Sequence, residues 1–477
     1  MCQGSTPARP PLPGEEGQRE EFPWQLGAVD AHCHPTDTMA AIANVPAMRA
    51  RVLTIMATRS QDQDLVAQVA AQRSFSNRAA LATPPTEDGS AVTDKIVPAF
   101  GWHPWFSHQL YDDTEGGNRT YDPSLASRGV EETVKQKQKH YSAVLTGKPD
   151  DAFITSLPDP ISLNAFLAET RRRLTEFPLA LIGEIGLDKG FRLPVPWTEE
   201  EYSKRDHGQT PGGRESRALT KYHVDTGHQV GILKAQLRLA GELGRAVSVH
   251  GVQGHGVLYD ALASLWKGHE KEFLSKRQQR RIAEGAENFS DLSDASDDDL
   301  DVIDNVTDFA NQGLRIDKPN KIDPNETEQS KDEKGKGDKQ EGSDDKVEII
   351  LDAGHKPYEP KPFPPRICLH SFSSEVEQLK RYIKPEIPAK AYFSFSTGVN
   401  LLGPTESKSQ DMEEKFVKVV KACPDDRILV ESDLHIAGEE MDYFLEHMYR
   451  KVCNVKGWTL EKGIKQIRRN YEEFIFG

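Results

Sequence analysis

The sequence predicts an α/β fold of the (β/α)8 barrel type, in which eight parallel strands alternate with helices around one core. Short apolar runs, several rich in β-branched residues as strands buried on both faces are, recur along the 477 residues. Longer stretches with the apolar period of a helix fall between them, for example at 230–243 and 412–422. The eight predicted strands lie at 28–30, 52–56, 96–101, 180–185, 246–250, 366–370, 391–395 and 427–431.

One segment between the fifth and sixth predicted strands carries most of the net charge. The chain has 60 Lys and Arg against 75 Asp and Glu, a formal charge of −15. Residues 284–346 contain 20 acidic and 8 basic side chains, so this segment alone contributes −12. Its apolar surface is too small to offset the entropy lost on ordering. We therefore predict a disordered acidic insertion at 284–346.

Two other segments are also predicted to lie outside the barrel. Residues 1–26 form a Pro- and Gly-rich head that we expect to be disordered. Residues 113–150 form a polar insertion, within which 131–141 has the composition of a charged helix. The rest of 27–477 is predicted to be a single barrel domain.

Composition also argues against several classes of protein. No run approaches the ~18 consecutive apolar residues of a membrane span, and the N-terminus lacks the pattern of a secretion signal. The five cysteines are scattered without a C-x-x-C pair, which disfavours a disulfide framework. We expect a cytoplasmic and/or nuclear protein. The net negative charge disfavours an extended basic surface for nucleic-acid binding. Any contact with nucleic acid would therefore be confined to a local site.

Histidines and carboxylates follow most of the predicted strands. His32 and His34 lie two residues apart at the end of the first strand, so their side chains share a face and can bind one ion. Because the carboxyl ends of barrel strands form one rim, we expect these residues to converge. Any one of them alone is more simply explained as a structural histidine or a capping acid. The other strand-end residues are His103, Glu184, Asp188, His250, His370, Glu431 and Asp433.

This combination of ligands indicates divalent metal ions. Imidazole with carboxylate suits Zn²⁺, Mn²⁺ or Mg²⁺. Six of the eight predicted strands end in an imidazole, a carboxylate or both, and six ligands exceed what one tetrahedral site uses. A pair of ions that share a bridging carboxylate would account for them.

Five motifs, in this order, resemble those of a known family. They are Asp30-Ala31-His32-Cys33-His34, Gly101-Trp102-His103-Pro104, Gly183-Glu184-Ile185-Gly186-Leu187-Asp188, His370-Ser371-Phe372-Ser373 and Glu431-Ser432-Asp433. The family is that of the TatD-related metal-dependent deoxyribonucleases, a branch of the amidohydrolase-type barrels. Residues 229–250 are similar to the helix and fifth strand of that family, and Asn470, Tyr471 and Phe474 to its C-terminal end.

The resemblance implies roles for individual residues. His32 and His34 would hold one metal with Asp433, His250 and His370 would hold the second, and Glu184 would bridge the two. Asp433 would also accept a proton from the attacking water. His103 would line the pocket near the substrate phosphate, although a structural His-Pro turn explains it as well.

The sequence departs from the family pattern at the substrate loops. Two residues after the fifth-strand histidine the family commonly has an arginine, whereas Val252 stands here. Leu434 and His435 replace a small residue and a proline, and Ser374 replaces a glycine. Since arginine supplies bidentate contacts to phosphate, we expect a raised KM more than a lost kcat.

Two classes of function remain open. The resemblance implies a metal-dependent hydrolase, most simply a deoxyribonuclease, with another ester or amide as a variant substrate. With its acidic insertion the chain also looks like a fungal branch, some members of which are named as interactors of a subunit of the anaphase-promoting complex. The barrel would then act mainly through a protein partner bound by 284–346, unless that insertion is merely a tolerated loop. Retention of six costly polar groups on one rim favours the hydrolase.

Overall fold

Eight parallel strands follow one another around the molecule in their order along the chain. The computed structural model describes residues 20–83, 94–273 and 358–477. Each predicted run overlaps a strand, and the predicted (β/α)8 barrel class is confirmed. The barrel strands are β1 Val29–Cys33, β2 Val52–Met56, β3 Ile96–Ala99, β4 Ile182–Asp188, β5 Val247–Val252, β6 Arg366–Leu369, β7 Lys390–Phe395 and β8 Ile428–Val430.

The strands form two parallel sheets that meet at two junctions. One sheet contains β1 to β3 and the other β4 to β8. A single bridge between Ala99 and Leu181 joins β3 to the start of β4. Between β8 and β1, the amide of Asp433 donates to the carbonyl of His32 at 3.1 Å. Within the sheets the register shifts between Asp30 and Cys33 of β1 and between Ile182 and Ile185 of β4, and few hydrogen bonds cross the two junctions.

Apolar side chains on both faces of the strands explain why these segments form buried strands. All five residues of β1 and of β2 are buried, and Leu53 and Ile55 belong to the same core cluster as Phe393 and Phe395 of β7. Doubly buried parallel strands require helices over the sheet, and the sequence supplies them between the strands.

Helices occupy most of the described chain between the strands. The α-helices are Ser60–Arg73, Arg78–Ala82, Pro123–Ala126, Val130–Val144, Asp151–Ser156, Leu163–Glu176, Glu199–Ser203, Thr226–Glu242, His255–Trp266, Val376–Tyr382, Thr397–Asn400, Glu406–Ala422, Glu439–Lys456 and Leu460–Phe476. Short 3-10 segments lie at Trp24–Leu26, Pro35–Ala47, Pro104–Gln109 and Asp425–Arg427. None of these helices is both long and apolar enough to cross a membrane.

The polar segment 113–150 contains secondary structure of its own. Helix Val130–Val144 covers the stretch 131–141. Its His140 is buried, with Nδ1 2.7 Å from Thr120 Oγ1 and Nε2 2.8 Å from the carbonyl oxygen of His108. Strand Leu145–Thr146 then pairs with His223–Val224.

The other two predicted segments are described only in part or not at all. Phe22 is buried, with its ring 5.8 Å from that of Tyr449. Residues 1–19 of the predicted head and the whole predicted acidic insertion 284–346 lie outside the described residues.

The buried side-chain amide of Asn470 links the last helix to β8 and to the residues before it through hydrogen bonds. The Asn470 side chain donates to the carbonyl oxygens of Asp425 at 2.7 Å and Ile428 at 2.8 Å. Asn470→Ala leaves both carbonyls without this donor, so we expect the free energy of unfolding to fall by about 1–3 kcal/mol in urea titrations. Asn454→Ala, at an exposed position, is the control and is expected to change it by less than about 0.5 kcal/mol. Equal losses in the two variants would contradict this role.

Candidate metal centre

The six predicted ligands lie together at the carboxyl rim of the barrel. His32, Glu184 and His250 are on β1, β4 and β5. His34 and His370 directly follow β1 and β6, and Asp433 follows β8 by three residues. Parallel strands in register bring these ends to one side of the molecule, which is why residues so distant in sequence meet.

The two histidines of the first motif face one carboxylate oxygen of Glu184. His32 Nε2 and His34 Nε2 are 3.0 Å apart, and they lie 3.4 and 3.3 Å from Glu184 Oε2. Asp433 Oδ1 lies 3.9 Å from the first nitrogen and 3.6 Å from the second. Two imidazoles and two carboxylates therefore converge on one point.

The other oxygen of Glu184 faces a second set of imidazoles. Glu184 Oε1 lies 2.8 Å from His250 Nδ1, 2.7 Å from His370 Nε2 and 3.1 Å from His103 Nε2. His250 Nδ1 and His370 Nε2 are themselves 3.1 Å apart. The carboxylate of Glu184 thus lies between two groups of imidazoles, and each of its oxygens faces one group.

His103 has both features that the sequence suggested. Its Nδ1 accepts a hydrogen bond from the amide of Trp105 at 3.1 Å and caps the 3-10 segment Pro104–Gln109. Its Nε2 faces Glu184, and the side chain is buried. A turn-forming residue is therefore also part of the wall of the centre.

Several buried side chains outside the six predicted ligands support the donors. Ser248 Oγ lies 2.9 Å from His32 Nδ1, which leaves His32 Nε2 for the centre. Asp188 Oδ2 lies 3.3 Å from His250 Nε2. Glu431 Oε1 accepts hydrogen bonds from the amide and hydroxyl of Ser371 and lies 3.6 Å from His370 Nδ1.

Some of these supporting residues carry a signal in the sequence. Asp188 and Glu431 lie inside two of the motifs quoted above. Ser248 stands two residues before His250 on β5, so strand alternation places both on the same face. The partner of each, however, becomes visible only when the strands are assembled.

The pKa values of the buried groups at the centre are shifted by burial and, in the opposite direction, by their ionised neighbours. Burial alone would raise the pKa of Glu184, but the surrounding His103, His370 and His32 hold it well below its usual range. Burial would lower the pKa of His34, whereas its hydrogen bonds to Asp433 and Glu184 raise it to about 10. The pKa of Asp433 is held below its usual value, against burial, mainly by His34.

These residues fit a divalent cation. Five carboxylates are gathered here, and among the described residues none of them pairs with a lysine or arginine: Asp30, Glu184, Asp188, Glu431 and Asp433. His370 Nδ1 and Glu431 Oε2 are buried without a hydrogen-bond partner in the described part of the chain. In this structure histidines such as His34 and His370, whose pKa values are raised by these carboxylates, balance the buried charge. Because a histidine that ligates a metal is neutral, divalent ions would supply that positive charge instead.

The donor atoms also form groups of the size a metal ion needs. Three sets have ligand atoms that all lie within 4.8 Å of one another: His32, His34 and Glu184; His32, His370 and Asp433; and His103, Glu184 and His250. Imidazole nitrogen with carboxylate oxygen is a donor set for Zn²⁺, Mn²⁺ or Mg²⁺.

A parallel barrel with clustered imidazoles and carboxylates on its carboxyl rim has the architecture of the barrel hydrolases. Comparison with family models gives the particular family: residues 29–274 and 339–476 match the model described as TatD related DNase. The chain belongs to this family, as the motifs predicted.

Two curated relatives come from fungi. The chain is 31% identical over 447 residues to the Cut9-interacting protein scn1 of Schizosaccharomyces pombe, covering 94% of this chain and 98% of that protein. It is 26% identical over 239 residues to an uncharacterized deoxyribonuclease of Saccharomyces cerevisiae, covering 49% of this chain and 59% of that one.

Solved structures of TatD proteins are also similar over most of the chain. A TatD homologue from Escherichia coli covers 94% of this chain and 96% of its own, with 12% identity and a TM-score of 0.38. A TatD family hydrolase from Entamoeba histolytica covers 94% and 98%, with 9% identity and a TM-score of 0.41.

Proposed function

We propose that this TatD-family hydrolase is a metal-dependent deoxyribonuclease that cleaves phosphodiester bonds with an activated water. The observation that carries the proposal is the position of Glu184, whose two carboxylate oxygens each face a separate group of imidazoles. A carboxylate placed in this way suits a pair of divalent ions.

The proposal assigns each donor to one of two ions, Mg²⁺, Mn²⁺ or Zn²⁺. His32, His34 and Asp433 would hold one, His250 and His370 the other, and Glu184 both. Divalent ions bound here would supply Lewis acidity, which lowers the pKa of a bound water and neutralises charge on the phosphate.

The side chains of the chain supply the proton acceptor and the orientation. Asp433 is ionised at neutral pH because its pKa is held below the usual value by His34, so it can accept the proton of the attacking water. Ser371 Oγ lies 3.2 Å from Asp433 Oδ2, while its one hydroxyl proton is donated to the nearer Glu431 Oε1 at 2.6 Å, so Ser371 restricts the position of the Asp433 carboxylate by contact. His103, in the wall of the centre, is proposed to lie near the substrate phosphate.

The direct test is hydrolysis of labelled DNA by the purified protein. Single- and double-stranded oligonucleotides are incubated with Mg²⁺, Mn²⁺ or Zn²⁺, and bound metal is measured by elemental analysis. We expect cleavage that stops in chelator and returns when a divalent ion is added back. Cleavage that persists after complete removal of metal would contradict the proposal.

Ser248 is proposed to hold His32 in the orientation that metal binding needs. Ser248→Ala removes the partner of His32 Nδ1, so the imidazole is free to rotate or change tautomer. We expect metal affinity, measured by titration calorimetry, to fall by roughly 10- to 100-fold. Ser264→Ala is the control, because among the described residues its hydroxyl bonds only the carbonyl of Ala261 on its own helix. An unchanged affinity in Ser248→Ala would mean that the barrel alone orients His32.

A second candidate function is interaction with a protein partner. The similarity that favours it is the one to the Cut9-interacting protein, which extends over 94% of this chain. We propose that the acidic segment 284–346 would be the part that binds such a partner, in the cytoplasm and/or the nucleus.

Deletion of 284–346 separates the two candidates. This segment connects β5 to β6, both of which end at the proposed centre, so its 20 carboxylates should repel DNA when screening is weak. We expect the deletion to raise the DNA cleavage rate at low salt, with the difference shrinking as salt is added. A full-length variant in which the acidic residues of 284–346 are changed to Asn and Gln should show the same rise in cleavage rate at low salt. Unchanged cleavage together with lost capture of a Cut9-type protein would favour the interaction function.

A further inference from the structure

Three histidines meet outside the metal centre, where the polar segment 113–150 packs on the barrel. His108 lies in the 3-10 segment that follows His103. His140 lies in the long helix of the polar segment, and His228 lies in the helix before β5. His108 and His140 are buried, and His228 is half-buried. The rings of His140 and His228 have centroids 6.3 Å apart. These three side chains, the histidine cluster, therefore join three separate elements.

Two of these histidines hold consecutive carbonyl groups of the 3-10 segment. His140 Nε2 donates to the carbonyl oxygen of His108 at 2.8 Å, and His228 Nε2 donates to that of Ser107 at 2.9 Å. Since a neutral imidazole carries only one hydrogen on nitrogen, His140 Nδ1 is an acceptor. It accepts from Thr120 Oγ1 at 2.7 Å. With the imidazole neutral, both nitrogens of His140 are therefore satisfied.

The 3-10 segment that the cluster holds begins at the metal centre. His103 Nδ1 accepts a hydrogen bond from the amide of Trp105 at the start of this segment, and His103 Nε2 lies 3.1 Å from Glu184 Oε1. Trp102 Nε1 donates to the carbonyl oxygen of Phe106 in the same segment at 2.8 Å. The position of His103 in the wall of the centre therefore depends on where the segment lies, and the cluster fixes the other end of that segment.

The side chains around the cluster offer no partner for an added proton at His108. Its Nδ1 is buried without a hydrogen-bond partner in the described part of the chain. The ring of Tyr141 lies 6.1 Å from that of His108 and 4.9 Å from that of His140, and the ring of Tyr121 lies 6.3 Å from that of His140. Tyrosine is uncharged at neutral pH, so these rings supply no negative charge to balance an imidazolium.

Burial keeps the imidazoles of the cluster neutral. It lowers the pKa of His108 to about 3 and that of His140 to about 4, and it also lowers the pKa of His228. Neighbouring imidazoles lower the pKa values of His108 and His140 further, whereas backbone hydrogen bonds oppose the shift at all three. The carboxylates of Asp112 and Asp225 also oppose it at His228. The packed cluster thus excludes protons that an exposed histidine binds below neutral pH.

We propose that His108, His140 and His228 form an acid-sensitive latch that holds the polar segment 113–150 and the segment after His103 on the barrel. The latch is closed while its imidazoles are neutral. On protonation, adjacent imidazolium groups repel one another inside the protein, and His108 Nδ1 gains a hydrogen with no acceptor. Acid therefore favours release of both segments, and release frees one end of the wall of the metal centre.

The direction of the pH dependence follows from the protons bound in each state. A released histidine has an ordinary pKa near 6.5 and is protonated below that pH, whereas the packed cluster remains neutral. The ratio of released to packed protein should therefore rise as the pH falls. The rise is up to roughly ten-fold per pH unit for each coupled histidine. It levels off once the packed histidines are themselves protonated, at about pH 4 for His140.

The test is hydrogen–deuterium exchange of the full-length protein between about pH 7.5 and pH 4.5, a range that contains the ordinary pKa of histidine. Exchange is followed by mass spectrometry and corrected for its intrinsic pH dependence. Peptides from Val130–Val144 and Pro104–Gln109 measure release of the latch, and peptides from helix Leu460–Phe476 measure unfolding of the whole barrel. Because acid also removes metal from histidine ligands, metal-loaded and chelator-treated protein are both measured.

The test variants are His140→Gln and His228→Gln. A glutamine amide can donate to the carbonyl that the imidazole binds, but it does not titrate. The matched control is His207→Gln, at an exposed histidine. Thermal melting near pH 7.5 shows whether each variant is folded, and the pH series of the unmodified protein tests the latch even if a variant is not.

We expect acid to expose the latch peptides before the rest of the barrel. Protection in Val130–Val144 and Pro104–Gln109 should fall as the pH is lowered, while Leu460–Phe476 stays protected. His140→Gln and His228→Gln should each make this fall shallower, by up to about ten-fold in the ratio of released to packed protein per pH unit. His207→Gln should match the unmodified protein, and metal loading should leave the slope unchanged.

Three outcomes would overturn the latch. The first is corrected exchange of the latch peptides that does not depend on pH. The second is loss of protection at the same pH in Leu460–Phe476, which would mean that the whole barrel unfolds together. The third is an unaltered pH profile in both His140→Gln and His228→Gln. None of these measurements uses DNA, so they decide the latch whether or not the protein is a deoxyribonuclease.

Discussion

Asp433→Ala is expected to lower the rate of DNA hydrolysis by at least ~10³-fold, because one substitution removes a proposed metal ligand and the proposed proton acceptor. The carboxylate lies 3.6 Å from His34 Nε2 and 3.9 Å from His32 Nε2, where the donors of the first group converge. The measurement is kcat on a labelled oligonucleotide at saturating metal.

The control for this substitution is Asp411→Ala, at a carboxylate that is 68% exposed on helix Glu406–Ala422. It should keep full activity. Thermal melting of both variants separates loss of chemistry from loss of fold. Hydrolysis that survives Asp433→Ala unchanged would place the reaction at another site or in a contaminating enzyme.

Glu184→Gln is expected to reduce both metal content and activity, the latter again by roughly 10³-fold, because the proposed bridge between two ions is lost. The amide has nearly the same volume but no negative charge, and it presents an NH₂ group to imidazole nitrogens 2.7 to 3.4 Å from the present oxygens. Elemental analysis after dialysis and the rate of oligonucleotide cleavage are the two measurements.

Glu176→Gln, at an exposed position paired with Arg172, is the matched control and should retain metal and activity. Two ions per chain in Glu184→Gln would show that Glu184 is not shared between them. One ion with partial activity would instead identify the half of the centre that depends on this carboxylate.

The sequence indicates where the barrel strands lie better than where they end. Apolar runs mark burial, so all eight strands could be predicted from composition alone. The fifth was expected to end at His250, yet β5 continues to Val252 because its carbonyl accepts the amide of Lys189 from the neighbouring turn. Strand ends are set by hydrogen bonds to neighbours, and a single sequence does not specify those partners.

The sequence also predicts only part of the metal centre. Histidine and carboxylate motifs at strand ends predict which donors meet, because the barrel places all strand ends on one rim. They do not predict that Ser248 supports His32 across 216 positions of sequence, or that Asp188 ties Trp105 to His250. Each of these contacts depends on the register between strands and on the loops, which are set by packing of the whole barrel.

The junction between β8 and β1 links the order of folding to the metal centre. The amide of Ser432 donates to Asp30 across 402 positions of sequence, and the amide of Asp433 donates to His32 beside it. Contacts between such distant segments cost the most chain entropy to close. The junction between β8 and β1 is therefore expected to form late in folding. Metal ions bound across it would then act mainly on the folded state and slow its unfolding, with little effect on the rate of folding. The half-life of the folded barrel would then increase with the concentration of divalent ions.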